Sequence, residues 1–268
     1  MIRTSTFYTI IFFIFCYSTY AQHAHPDVEL HVNSNLGMCD FDIAPELTQA
    51  EWGRAVHEVG DAIYLDPLSS SKSLGRWNWS LWIEQNTFTV DQESGAWNNT
   101  FHHPDSAHWL TESGRLSVPG LRFQLGIANR WDAGIYYTSA KPFGANYGFV
   151  GVETKYTFLN DTLHGWYASA RASYAMDANI RDFNVSSTAL DITASKKLFK
   201  LFTPYAGISF GWNHGKEITS EVNLKNENSL ALRGIIGIDF RWKFVNLGYV
   251  FLPGDGMANQ AFKIGVSF

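Results

Sequence analysis

The side chains with chemistry to offer are charged residues set into apolar runs. Glu153 and Lys155 sit two apart, as do Asp239 and Arg241, while Arg171, Asp191, Arg233 and Lys263 each interrupt an apolar stretch. Two-residue spacing puts such groups on one face of a β-strand. With Glu84, Arg122 and Asp132 they would line a common interior. Acids and bases crowded there should pair, because an unpaired buried charge is costly. The alternative use is a selective pore, but nearly balanced signs argue against strong selection for anions or cations. His102, His103, Asp105 and His108 gather in HHPDSAH. Imidazole and carboxylate can meet at an ion, yet the spacing matches no zinc motif and Pro104 stiffens the middle. A solvated polar loop is expected. No glycine-rich phosphate loop occurs, so no cofactor is assigned.

The elements that would position these groups are strands. Leu121, Phe123, Leu125 and Ile127 alternate with Arg122, Gln124, Gly126 and Ala128. Leu230, Leu232, Ile236, Ile238, Phe240 and Trp242 oppose Arg233, Gly237, Asp239 and Arg241 in the same way. Ten such strands can be traced between Arg76 and Phe268, each near the ~9–11 residues that a tilted membrane strand needs. Their connections alternate between short (129–131, 159–163, 197–200, 242–243) and longer (91–117, 141–147, 177–182, 213–228, 252–258). Membrane barrels have short periplasmic turns and longer extracellular loops.

Composition agrees. Of 268 residues, 17% are charged and 16% aromatic, rings that a membrane barrel places at its two interfaces. The net charge of −5 gives no basic field for nucleic acid. Arg3, the apolar run Phe7 to Tyr17, and Thr19-Tyr20-Ala21 read as a signal peptide over residues 1–21. Cys39 then remains as a buried or idle thiol. Residues 22–74 read as a periplasmic lead-in: a flexible stretch with His23, His25 and His31, then a helix over Thr48–Val59, then a Pro/Ser/Gly linker. Thr48 and Glu51 have capping-box spacing, and Gly60 is a suitable stop. The helix is expected to dock at the periplasmic base of the barrel or to plug that mouth. Residues 75–268 form the barrel.

The last strand, AFKIGVSF, sets Phe262, Ile264, Val266 and Phe268 on one face and ends on the aromatic. It resembles the closing strand of bacterial outer-membrane barrels, which in that family is also what the barrel-assembly machinery reads. Leu190 to Lys196 (LDITASK) and Leu201 to Gly207 (LFTPYAG), with the helix and the Leu74-Gly75 linker before the first strand, resemble a group of uncharacterised proteobacterial outer-membrane barrel proteins. The strand pattern gives the expectation of an all-β, ten-stranded antiparallel up-and-down transmembrane β-barrel, monomeric and surrounded by outer-membrane lipids, and the resemblance supports that fold and location. It implies no activity.

A structural or narrow-pore role for small solutes is expected, without catalysis. The rival is a barrel hydrolase with its site in the extracellular loops. Ten-stranded surface proteases resemble this chain in strand count and place Asp and His–Asp pairs at the rim, where Asp105, His108, Asp177, Asp182 and His214 would fall here. Convergence of such groups would favour the enzyme; a soluble sandwich would instead bury Trp79, Phe123, Ile236 and Phe262 together.

Overall fold

The computed structural model describes residues 39–91, 93–102, 111–112, 114–140, 146–199, 201–219, 222–254 and 259–268. The leader, the early histidines and most of HHPDSAH lie outside the described residues.

Ten long strands close into a cylinder. They are β2 (Trp79–Thr89), β5 (Arg115–Ala128), β6 (Trp131–Ser139), β7 (Gly148–Asp161), β8 (Trp166–Asp177), β9 (Phe183–Lys196), β10 (Phe202–Glu217), β11 (Glu227–Trp242), β12 (Val245–Leu252) and β13 (Asn259–Ser267). Each pairs antiparallel with the next, and β2 pairs with both β5 and β13, closing the ring. Closure leaves no strand edge unpaired, which lipid demands. Among the described residues three short strands lie outside the ring order: β1 (Asp40–Phe41) pairs with β3 (Phe101–His102), and β4 (Thr111–Glu112) pairs antiparallel with the start of β5.

The alternation sorts as read from the sequence. Leu121, Ile236, Phe262 and Ile264 face outward, and Ile236 is 58% exposed with no core to enter. Trp79 and Phe123 are partly exposed beside each other on the same outer surface. The soluble sandwich is thereby excluded. An apolar outer band on a closed antiparallel cylinder defines a transmembrane barrel of the bacterial outer-membrane type. Phe268 and Trp79 exchange both backbone hydrogen bonds at 2.9 Å, so barrel start and chain end meet at the end that carries the short turns.

The N-terminal segment departs from expectation. Helix α1 (Gln49–Ile63) has its capping box: the Thr48 amide donates to Glu51 Oε2 at 2.9 Å, and the Glu51 amide donates to Thr48 Oγ1 at 3.4 Å. It does not stop at Gly60 but runs three residues further. Gly60 is needed there for close approach, since a Cβ would overlap the Asn213 side chain of β10. Nor does the helix sit at the periplasmic base. It lies inside the cylinder, toward the end with the long connections, against β8 to β11. Its apolar side finds cover there, because the upper inward positions of the wall are themselves apolar: Phe88, Leu116, Val118, Phe149, Ala175 and Val185. Residues 39–47, just ahead of the helix cap, also pack inward, with Cys39, Phe41 and Ile43 buried. The Pro/Ser/Gly stretch is no exposed linker: Asp66, Leu68 and Ser71 are buried in the lumen. It ends at Gly75, whose φ of +87° starts the reversal into β2.

Ile236 lies midway along β11 on the lipid face, where an arginine costs about 2–4 kcal/mol. Ile236→Arg should lower the unfolding free energy in lipid vesicles by about that amount, whereas Ile236→Leu should be nearly neutral; a urea titration followed by tryptophan fluorescence measures both.

Candidate functional site: a charged lumen and its plug

Most strands of the ring turn polar or charged residues inward, including Glu84, Arg122, Glu153, Arg171, Asp191 and Arg233, and the segment Tyr64–Gly75 descends among them. Glu153, Lys155, Arg171, Asp191 and Arg233, expected in the lumen from their spacing, are all buried there, and the Asp239 carboxylate also faces inward, beside Lys263 and the Ser70 amide. The structure adds what contacts them.

Arg171 is the centre of the network. Its Nη1 donates to Glu153 Oε2 at 2.6 Å and its Nε to Asp191 Oδ2 at 2.6 Å. It also donates to the Leu65 carbonyl of the plug. Arg122 extends the chain of ions, with Nη2 to Glu84 Oε1 at 2.7 Å and Nη1 to Glu153 Oε2 at 3.2 Å. The same Nη1 donates to the Asp66 carbonyl at 2.8 Å. Two arginines flanking one glutamate keep it compensated in a space from which water is largely excluded.

Tyr64, the first residue beyond the helix, joins the layers. Its hydroxyl donates to Asp191 Oδ1 at 2.6 Å. Its ring lies beneath the Arg233 guanidinium, 4.5 Å to the centroid, and 5.7 Å from that of Arg171. Arg233 pairs with Asp61 of the helix, so this wall cation is neutralised by the plug. Lower down, Lys155 Nζ lies 3.3 Å from Asp132 Oδ2 and donates to the carbonyls of Ser70 at 3.0 Å and Lys72 at 3.1 Å. The Ser70 amide donates to Asp239 Oδ2 at 2.9 Å, and Lys263 pairs with Asp239 Oδ1 at 2.9 Å. Wall side chains thus satisfy plug backbone groups that no secondary structure would satisfy.

At the long-connection end the rim candidates do not converge. Asp177 accepts from the Val185 amide at 2.7 Å and Asn184 at 3.4 Å. His214 bonds Asn228 at 2.9 Å on the outer side of the rim. Asp182 accepts from the Ile43 amide at 2.9 Å. Asp105 and His108 lie outside the described residues. No group of three or more metal-ligating side chains occurs among the described residues. What fills this end is aromatic: Phe41 meets Phe101, Tyr147 and Phe183 with ring centroids 5.0 to 5.8 Å apart.

The closing-strand residues Phe262, Ile264 and Phe268 face outward. Val266 is less exposed, pairing with Leu81 and Val245 across its two neighbours. Sequence reasoning missed Asp61, Tyr64 and Asp66 as lumen groups. Their signal was present: one acid in the helix's last turn, then a tyrosine and a second acid just beyond it, precede a stretch whose serines have no apolar alternation.

No family model matches the chain, and no curated protein matches it in sequence. Solved structures do resemble it in fold. An outer membrane channel from Pseudomonas putida F1 matches at 9% identity and a TM-score of 0.43, covering 76% of this chain and 100% of that one. The translocator domain of the autotransporter NalP from Neisseria meningitidis matches at 10% identity and 0.40, covering 82% and 95%. The outer membrane protein OprG from Pseudomonas aeruginosa matches at 10% and 0.31, covering 75% and 99%. At these identities the likeness concerns the barrel fold alone.

Two outcomes follow. Arg171→Met strips Asp191 and Glu153 of a buried partner and should cost about 3–5 kcal/mol; Arg171→Met with Asp191→Asn should recover part of it, read from the same unfolding titration. At the rim, burial and then the hydrogen bond and charge of Asp42 push the Asp182 carboxyl up to about 6, against the pull of the Ile43 amide and Arg181. The docked state therefore holds this proton more tightly than the undocked one, whose carboxyl titrates near 3.8. Docking of residues 40–43 should weaken as pH rises from about 4 to about 6 and level off above. Hydrogen exchange at the Ile43 amide, corrected for its intrinsic pH dependence, should show that fall, and Asp182→Asn should abolish it.

Proposed function

We propose that this is a non-enzymatic outer-membrane barrel of the structural type, closed by its own N-terminal segment. Any passage of small solutes would require the plug to shift. The observation that carries this reading is the shared ionic network. Arg233 is held by Asp61, and Arg122, Arg171 and Lys155 all donate to plug carbonyls, so the wall and the plug complete each other. A narrow pore lined by Glu153, Lys155, Arg171, Asp191, Arg233 and Asp239 would need those groups free for solute. The rim gives a hydrolase little support, since Asp177, Asp182 and His214 are each held by separate neighbours.

Planar-bilayer recording tests it. A Cβ added at Gly215 lies 3.1 Å from Val56 Cβ, within easy adjustment of disulfide geometry, about 3.5–4.5 Å. The full chain should be closed for most of the record. Tyr64→Ala, which removes the contacts to Asp191, Arg171 and Arg233, should raise the open fraction at least tenfold. Adding Val56→Cys and Gly215→Cys in a Cys39→Ala background should suppress those openings until a reductant is added. Steady current through the oxidised, locked protein would overturn the proposal. So would hydrolysis of bilayer lipid that Asp182→Asn abolishes.

A further inference from the structure

We infer that the barrel carries its own N-terminal region across the membrane, so that the chain ahead of Cys39 is displayed on the face with the long connections. This goes beyond closure of the pore and does not depend on it, because it concerns only where the chain runs.

The path can be followed contact by contact. At the upper end, the Cys39 carbonyl accepts from the Asn146 amide at 2.6 Å. Asp40 and Phe41 pair with His102 and Phe101, and the Asp42 and Ala44 amides donate to Thr100 at 3.1 Å and Asn99 at 2.9 Å. All these partners belong to the connections 90–114 and 140–147. Going down, Gly53 faces Glu227, Val56 faces Gly215, and Gly60 faces Asn213. Tyr64 meets Asp191, which pairs with Ser209. Ser70 meets Asp239, which pairs with Thr203. Gly75 then packs on Gly126 beside the short 129–130 turn. The partners thus run from Gly215 to Thr203 along β10 with no reversal. Twelve strand residues span about 40 Å, roughly 30 Å along the axis at a tilt near 40°, the thickness of the hydrocarbon layer.

Among the described residues the segment crosses once, entering at the long-connection end and leaving at the short-turn end. A barrel of this size is largely filled by side chains. Here one apolar cluster around Trp52, Val56 and Phe183 packs the upper part, and a second, of Leu68, Ile235, Val250 and Leu252, reaches through Tyr64 to the Arg171 network. Cys39, where the described chain begins, thus lies among the long connections, and this placement carries the inference for the residues that precede it. Because short turns of outer-membrane barrels face the periplasm, the displayed face is the cell surface.

Epitope insertion tests this in cells. One epitope goes between Asn33 and Ser34, one at Leu163 in a short turn, and one at Asn223 in a long connection. In intact cells, antibody should bind the first and third at least tenfold above the Leu163 insertion, which should become reactive only after the outer membrane is permeabilised. An Asn33 epitope that behaves like the Leu163 one, or that is missing from the assembled barrel, would overturn the inference. Single cysteines guard against insertions that fail to fold. In a Cys39→Ala background, the exposed Ala50→Cys should react with a membrane-impermeant maleimide in intact cells at least tenfold faster than Leu163→Cys; equal or reversed rates would overturn it.

Discussion

A charge inside a narrow cylinder must be answered within that cylinder, and the rest of this structure follows from how that is done. Outside the wall is hydrocarbon, so no counter-charge can come through it. The wall answers part of its own demand, with Glu153 between Arg122 and Arg171 and with Lys263 on Asp239. What remains is met from within, by Asp61 on Arg233 and by backbone carbonyls at Leu65, Asp66, Ser70 and Lys72. A plug with irregular backbone is tolerable at membrane depth for the same reason: arginines and a lysine satisfy carbonyls that a helix or sheet would otherwise have to satisfy.

The two halves of the lumen use different physics. Near the long connections the inward face is apolar, and helix α1 lies on it like a helix on a soluble core, with Trp52 and Phe183 edge to face at 5.3 Å. Deeper down, the inward face is ionic and the plug is extended. Tyr64 stands at the border and suits both, with an apolar ring between guanidinium groups and a hydroxyl on a carboxylate. Apolar packing gives the upper part its hold, and directional bonds give the lower part its register.

The outer face was legible in the sequence because it obeys a local rule. Whatever touches lipid must be apolar at every second position, so Leu230 to Trp242 or Phe262 to Phe268 can be read without knowing any partner. The inward residues were legible as a set for the same reason. Their pairing was not, since it depends on how segments far apart in the chain come together: Arg233 of β11 answers Asp61 of the helix, a separation of 172 residues. The helix was legible in its cap and period but not in its location. An amphipathic helix needs an apolar surface, and alternation does not reveal that Phe88, Val118, Phe149 and Val185 supply one inside the barrel, where polar lining is the usual expectation. The serine-rich stretch after it has the composition of a linker, and only the wall around it makes it a plug.

The reversal at Gly75 to Trp77 has a consequence for how the molecule is made. Gly75 and Trp77 both adopt positive φ, and this corner turns the descending plug into the ascending β2. The plug is thus synthesised ahead of the wall that receives it, and its partners in β9 to β11 follow more than a hundred residues later. Loop-closure entropy makes such distant contacts slow to form. A nascent ring lacking β11 would hold Asp61 with no cation opposite it, so maturation has little reason to pause halfway. Seating of the N-terminal segment and zipping of β2 to β13 are bound to behave as one late, concerted event.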